Sequence, residues 1–441
     1  MEQKDCGKIS QCMIVKNEEK NIEKALTWGK DLMWEQIVVD TGSTDKTVEI
    51  AAKLGAKIYH FPWVDDFAAA KNYAIEQALG DWIAFLDADE YMTPDEAGKI
   101  KQFLLSSECQ RYDGVSTGWQ QLDEDGNIFS SATQVRFFRN HADIRYRRRI
   151  HEQLVSLKGQ QLRIADAVRS VSIFHTGYQK SALTEKKKNG RNVRLIQEEL
   201  KEHPDDYEML GYLGDEYYVD HEMKEAMHYY RRAIACMPEK IAEYDQRSAV
   251  TFTRLLTILT EGETASSSEA ETIYRKAVML LPQEADFDYI IGRYFAVSKE
   301  ARKAIAHLEN AIAKLTTYGC SNKALLLAAN LRDAFDILVR CCYEAGEQKK
   351  CVTNAVSYLQ SDRYMMSILS RLILVLTQDG NSEIYEQTLI FLSKIYDCSA
   401  LKDRLFLLTA AEKSGCSAYA AYLRKRLFTS EELAALQAGK R

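Results

Sequence analysis

The chain has 441 residues, 46% of them hydrophobic and 28% charged, with only five prolines, the balance of a globular protein with two or three cores rather than a disordered one. A net charge of −6 gives no overall basicity with which to hold nucleic acid or an anionic membrane surface. No apolar run reaches the roughly 18–20 residues that span a bilayer, and the opening MEQKDCGKIS has no cationic segment leading into an apolar one, so no secretory signal is expected.

Up to about Gln179 strand-like and helix-like pieces alternate. Residues 9–15 (ISQCMIV) predict a strand, and 18–28 (EEKNIEKALTW) carry apolar residues at helical spacing. Gln36 to Asp40 predict a second strand, followed by the turn-rich Thr41-Gly42-Ser43-Thr44-Asp45, a helix from about Lys46 to Leu54 and a short third strand from Ala56 to Phe61. A helix from about Phe67 to Leu79 then leads into DWIAFLDADEYMTP, residues 81–94. There Ile83-Ala84-Phe85-Leu86 reads as a strand buried on both faces, being continuously apolar and too short for a helix. This alternation predicts a parallel α/β sheet with helices on both faces. Thr93-Pro94-Asp95-Glu96 predict an N-cap, a proline at the first helical position and a capping box. The acidic Asp87-Ala88-Asp89-Glu90 therefore lies in a loop past a buried strand, where open α/β sheets bind ligands.

From about His203 the pattern becomes helix after helix. Leu210-x2-Leu213-Gly214-x2-Tyr217, then Ala226-x3-Tyr230, Ala233 and Pro238 fit the tetratricopeptide spacing. Ala270-x3-Tyr274, Ala277 and Pro282 repeat its second half. Asp288-x2-Ile291-Gly292-x2-Phe295, with Ala304-x3-Leu308 and Ala311, repeat it again. The expected organisation is an α/β domain over 1–180, a charged helical connector over 181–203, repeats over 204–320 and a further helical region over 321–441. The ten cysteines never form Cys-x-x-Cys, which fits reduced thiols in a cytoplasm better than a disulfide framework or a zinc site.

In an extended chain Asp87 and Asp89 share a face, and two like charges side by side need a compensating cation or donor. Mg²⁺ or Mn²⁺ bridging a nucleotide diphosphate answers that need, since hard oxygen ligands suit both ions; a solvated loop or a helix cap is the plainer alternative. Asp40 ends the second strand, either accepting from a ribose or base or simply closing a turn on its own backbone. Lys16-Asn17-Glu18 ends the first strand, with Asn17 an N-cap on the plain reading. Lys71-Asn72 sits on a helix, where Lys71 either reaches a phosphate or is solvated.

Together these elements resemble the family 2 glycosyltransferases with a GT-A fold. The matching residues are Met13-Ile14-Val15-Lys16-Asn17-Glu18-Glu19, Val38-Val39-Asp40-Thr41-Gly42-Ser43-Thr44-Asp45, Ala70-Lys71-Asn72 and Phe85-Leu86-Asp87-Ala88-Asp89-Glu90. The resemblance implies a nucleotide-sugar donor, usually UDP, held by Ile14, Lys16, Asn17, Glu18, Asp40, Lys71, Asp87 and Ala88. It sets Asp40 near the uracil or ribose and the Asp-Ala-Asp on metal and diphosphate, with inversion at the anomeric carbon.

The densest basic run is Arg136-Phe137-Phe138-Arg139 through Arg145-Tyr146-Arg147-Arg148-Arg149. From it Arg147 and Arg149 are candidates for offsetting charge on a departing diphosphate; a solvated strand face is the bland alternative. An inverting transferase needs one carboxylate beyond the metal pair, and Glu152 is the candidate base, with Asp123, Glu124 and Asp125 as competitors. By analogy with some GT-A enzymes, His175 is a candidate third metal ligand beside Asp87 and Asp89.

A GT-A domain followed by tetratricopeptide-like helices also resembles the peptide S-glycosyltransferases of bacteriocin (sublancin-type, glycocin) biosynthesis. That resemblance implies transfer of a hexose, glucose first, from a UDP-sugar to a Cys or Ser/Thr side chain of a peptide docking partly on the repeats. Stacked helices suit an extended polypeptide and can equally build a homodimer. Two rivals remain: the same chemistry on a cell-envelope saccharide or lipid-linked glycan, and a catalytically inactive repeat scaffold.

Overall fold

The computed structural model describes residues 7–176, 190–242, 245–261, 267–319, 325–378 and 380–438. It divides into two compact units, Met1–Asp205 and Asp206–Arg441.

In the first unit the strands β1 (Ile9–Val15), β2 (Glu35–Asp40), β3 (Lys57–His60) and β4 (Trp82–Phe85) pair in parallel, in the order β3-β2-β1-β4. Alternate residues of β1 and β2 feed opposite layers, as a strand buried on both faces requires. Met13, Val15 and Val38 pack with Ile22 and Leu26 of α1 (Ile22–Thr27) and Ala51 of α2 (Thr47–Lys53). Cys12, Ile37, Val39 and Phe85 pack with Ala74 and Ile75 of α3 (Phe67–Glu76). The expected helices on both faces are thus present, although α1 is one turn shorter than its periodicity suggests. Asn17 does not cap it: Asn17 takes a left-handed backbone (φ 59), and its side chain accepts from Thr44 N at 2.8 Å, fastening the β1 tip to the β2 loop.

Past β4 the sheet becomes mixed, with antiparallel pairs beside parallel ones, which alternation alone does not anticipate. After β5 (Glu90–Tyr91) and α4 (Pro94–Leu105) come β6 (Gly114–Leu122) and β7 (Ile128–Arg139), an antiparallel hairpin whose β7 also runs antiparallel to β4. The ribbon β8 (Ile144–Arg147) and β9 (Gln153–Ser156) forms a separate two-stranded sheet. Finally β10 (Ile164–Asp166) and β11 (Ser172–His175) both pair with β6, and β11 also pairs antiparallel with β5. Thr93 caps α4 as expected, accepting from Glu96 N at 3.3 Å. The Glu96 carboxylate is instead taken by Ser172 N at 2.6 Å, which ties α4 to β11. Helix α5 (Arg191–Glu202) realises the later part of the connector; its earlier part, 181–189, lies outside the described residues. Arg194 pairs with Asp65, and Glu199 accepts from Arg149 N at 3.0 Å, seating α5 on this unit.

The second unit is built of helical hairpins, beginning with α6 (Tyr207–Val219) against α7 (Met223–Cys236). A Cβ on Gly214 would meet the Tyr230 ring at 2.5 Å, and one on Gly292 would meet Leu308 at 2.8 Å. The repeat's glycines therefore sit where its large residues cross, which is why the spacing recurs. Thr429 and Glu432 form a reciprocal capping box on the helix Ser430–Ala438. Among the described residues no helix is long and apolar enough to cross a membrane.

Overfilling the Gly214 crossing is expected to cost Gly214→Ala about 1–3 kcal/mol, read as an earlier urea transition of the helical unit. Gly98→Ala, on α4 where a Cβ meets nothing within 4 Å, is expected to be neutral or stabilising by up to about 1 kcal/mol.

Candidate functional site

The site begins where β4 ends. The chain turns at once, Glu90 N donating to Asp87 O at 3.0 Å and Asp87 N to the Glu90 carboxylate at 3.0 Å. Pairing of β11 with β5 sets His175 opposite Glu90, and both Thr176 N and Thr176 Oγ1 donate to Asp89 O at 3.1 Å. As a result His175 Nε2 stands 3.3 Å from Asp89 Oδ2, with its ring 4.5 Å from that of Trp119. Two residues distant in sequence thus meet because the last strand returns beside the acidic turn.

Asp87 faces another way. Arg136 reaches Asp87 Oδ2 at 2.8 Å and Glu90 Oε1 at 2.5 Å, and Trp119 Nε1 donates to the same Glu90 oxygen at 2.8 Å. Between Ser116↔Val135 and Val115↔Phe137 the register slips by one, leaving Arg136 as the extra residue of a β-bulge, a device that re-aims a side chain. Burial pushes the Asp87 pKa upward, but Arg136 and then Lys71 more than reverse this, holding it well below the usual carboxylate range. For Glu90, wholly buried, burial prevails and the pKa is raised. In the protein alone a guanidinium offsets the charge of Asp87 and Glu90, while Asp89 has His175 beside it.

A second cluster adjoins the first. Lys71 of α3 is 5% exposed and ion-paired with Glu152, so it is not a solvated helical lysine. Its ammonium lies 5.3 Å from the centre of the Phe85 ring and 5.1 Å from that of Tyr146, an arrangement attractive to a cation. Burial opposes its charge, yet facing Glu152 and Asp87 raises its pKa. The neighbouring Asn72 clamps the β8 backbone, donating to Tyr146 O and accepting from Tyr146 N, each at 2.9 Å. Lys71, Asp87, Arg136, Tyr146, His151 and Glu152 line part of one cavity of about 530 Å³. Burial pushes the Tyr146 phenol up to about 12, and its hydroxyl has no hydrogen-bond partner among the described residues. Arg148 (φ 76) and His151 (φ 51) hold left-handed backbones next to Glu152, a strained loop of the kind that clusters at functional sites.

The strand tips form the remaining edge. Asp40 accepts from Gly42 N at 3.2 Å and Ser43 N at 3.0 Å, with His60 Nδ1 at 3.5 Å. Burial works to raise its pKa, and these donors, Ser43 foremost, bring it below the usual range. Ile14 and Glu18 are half-buried, Lys16 and Asn17 exposed, and Ala88 buried at this edge. Arg147 points to solvent on β8, and Arg149 is paired with Glu202 of α5; neither lines the cavity. Asp123 folds the β6–β7 turn by accepting from Asp125 N and Asn127 N, with Glu124 and Asp125 exposed beside it. Sequence reasoning passed over Arg136, Glu90, Trp119 and Tyr146 as site residues. Arg136 stood in the quoted basic run, but the bulge that selects it has no signature in composition.

Among the described residues no three of His, Cys, Asp and Glu form a ready-made cage. Asp89 Oδ2 and His175 Nε2 are nevertheless close enough to share one ion. A divalent cation that keeps water and takes phosphate oxygens needs few protein ligands, so the residues present fit such an ion.

Residues 10–183 match the family model described as Glycosyl transferase family 2. A TPR repeat-containing protein of Synechococcus elongatus is 30% identical over 68% of this chain and 68% of its own length. The SPbeta prophage-derived glycosyltransferase SunS of Bacillus subtilis is 30% identical over 53% of this chain. The match spans 54% of SunS, about half its length. The crystal structure of S. aureus TarS overlaps 62% of this chain and 53% of its own at 15% identity, with a TM-score of 0.34.

Arg136→Met leaves Asp87 and Glu90 without their cation. At neutral pH it is expected to cost about 3–5 kcal/mol, as for other broken buried pairs. Because the uncompensated carboxylates can then take up protons, the cost shrinks as pH falls toward 5. In the unaltered protein the lowered pKa of Asp87 contributes stability above the ordinary carboxylate range, lost as pH falls through the folded value. Urea unfolding of both proteins between neutrality and pH 5 reads this difference.

Proposed function

The chain belongs to glycosyl transferase family 2 and continues into tetratricopeptide-like helices, and from this premise we propose a metal-dependent, inverting transfer of a hexose, glucose first, from a UDP-sugar to a Cys or Ser/Thr side chain of a polypeptide. The observation that carries the reading is the shared cavity in which Asp87, Lys71 and Glu152 meet beyond the end of β4. It joins a diphosphate-type acidic turn to a separate carboxylate, the two functions such a transfer requires.

In this reading Asp89 and His175 hold Mg²⁺ or Mn²⁺, with Asp87 beside them, and the cation when bound offsets charge on the donor's diphosphate. Asp40 and the exposed Lys16 at the neighbouring strand tips receive the nucleoside end. Lys71 is buried and cationic, which keeps Glu152 in one orientation and adds positive potential at the diphosphate end of the cavity. Glu152 takes the proton from the attacking hydroxyl or thiol, which then bonds to the anomeric carbon as the bond to the diphosphate breaks. Arg136 acts from behind, fixing Asp87 rather than touching the donor. The resemblance to peptide S-glycosyltransferases and the stacked helices support a polypeptide acceptor. The free, buried cysteines, Cys341 and Cys342 among them, support a reducing cytoplasm as its place of action.

Calorimetric titration of UDP with Mn²⁺ is expected to give metal-dependent binding that Asp89→Ala weakens at least about tenfold, a loss of about 1.4 kcal/mol. Metal-independent or absent UDP binding by the wild type would remove the reading. Glu152→Gln is expected to leave UDP binding intact and to slow transfer to a serine acceptor by about 10²–10⁴. A cysteine acceptor is expected to lose less, because a thiolate forms more readily than an alkoxide; initial rates with matched Ser and Cys peptides measure the contrast.

A further inference from the structure

Strand β7 has two neighbours for only part of its length. Trp82, Ile83 and Ala84 of β4 pair with Arg139, Phe138 and Phe137. From Val135 back to Ile128 the strand pairs with β6 alone, and no other described strand covers its far edge. Alternate backbone N–H and C=O groups along that edge have no ladder partner. Its sequence, Ile128-Phe129-Ser130-Ser131-Ala132-Thr133-Gln134-Val135, contains no charge and no proline, residues with which proteins ordinarily blunt an open edge. Residues 128–133 are exposed, with Ile128 and Phe129 at 55% and 56%. Register slips at Arg136 and Phe129 frame a regular stretch of six residues between them.

The edge runs directly into the reaction cavity. Thr133, Gln134 and Val135 line it together with Asp87 and Glu152. We propose that the open edge of β7, residues 130–135, is the acceptor dock: an extended polypeptide adds to it as a further strand and thereby delivers a side chain to the cavity. This rests on the transferase reading above and specifies its acceptor. An open ladder offers donors and acceptors at the spacing of another peptide backbone, a recurring mode of peptide recognition in which main-chain bonds give affinity and alternate side chains give specificity. A saccharide has no such spacing. Side chains of an added strand alternate between faces, so every second residue of the acceptor turns toward the cavity side. The apolar Ile128 and Phe129 offer purchase for the peptide's far end.

The test uses the full chain with UDP-glucose, Mn²⁺ and a pool of random peptides of about ten residues, long enough to form a strand, each carrying one cysteine and one serine. A peptide that gains a hexose by intact mass becomes the probe and is resynthesised with single backbone N-methyl groups. Strand addition is expected to give a period-two profile, kcat/KM falling at least about tenfold at every second position and little between. Of Ser131→Pro and Ala132→Pro, the one whose N–H faces outward is expected to lose peptide transfer while keeping donor hydrolysis. Hydrogen exchange on the wild type is expected to show slowed amides within 130–135 only when peptide is present. A flat N-methyl profile, transfer to oligosaccharides but to no peptide, or protection that grows with protein concentration alone (pairing with a second copy) overturns the dock. Absence of donor hydrolysis in the wild type instead overturns the transferase reading, so the two failures are distinguishable.

Discussion

Two carboxylates at the end of a buried strand cannot keep their charge without a cation, and the protein's answer is Arg136. Its guanidinium, itself buried, joins the half-buried Asp87 to the wholly buried Glu90 at the sheet's end. Glu90 is completely buried, and a buried carboxylate is tolerated only when its lone pairs are taken; Trp119, Asp87 N and Arg136 take them. The turn is therefore fixed by charge and hydrogen bonds, and Asp89 stands on it 3.3 Å from His175.

The topology serves this cluster. A purely parallel sheet would end its strands in loops and leave the acidic turn unsupported from beyond β4. The antiparallel β7 brings Arg136 across from the neighbouring strand, with the bulge supplying the odd residue that points it toward Asp87. The return of β11 beside β5 delivers His175. Helix α3 contributes two adjacent residues with separate duties, Asn72 clamping the β8 backbone and Lys71 holding Glu152. Three pieces remote in sequence converge because strand pairing fixes their register.

What could be read from the residues follows from how local the cause is. The first four strands announce themselves as short apolar runs ended by polar turns, and the repeat helices by Gly214 and Gly292 opposite Tyr230 and Leu308. The acidic turn was legible for the same reason: charge directly after a buried run is a local contradiction. The partners were not. Nothing near Arg136 in sequence distinguishes it from Arg147 or Arg149; only the bulge makes one buried and leaves the others outside the cavity. Likewise Asn17 has an N-cap's composition, and only the nearby β2 loop explains why it bonds Thr44 instead.

The two aspartates of one tripeptide also divide their work, against the expectation that a shared face gives a shared partner. Asp87 is held by Arg136 with its pKa depressed, while Asp89 stands beside a histidine that arrives from the last strand. A cation drawn to this place meets an aspartate already charged and an aspartate–histidine pair already within reach. The charge of Arg136 is engaged by Asp87 and Glu90. Lys71, the buried ammonium that pairs with Glu152, lines the same cavity. The lysine thus faces both Glu152 and Asp87, and loss of either carboxylate alters the field at the other.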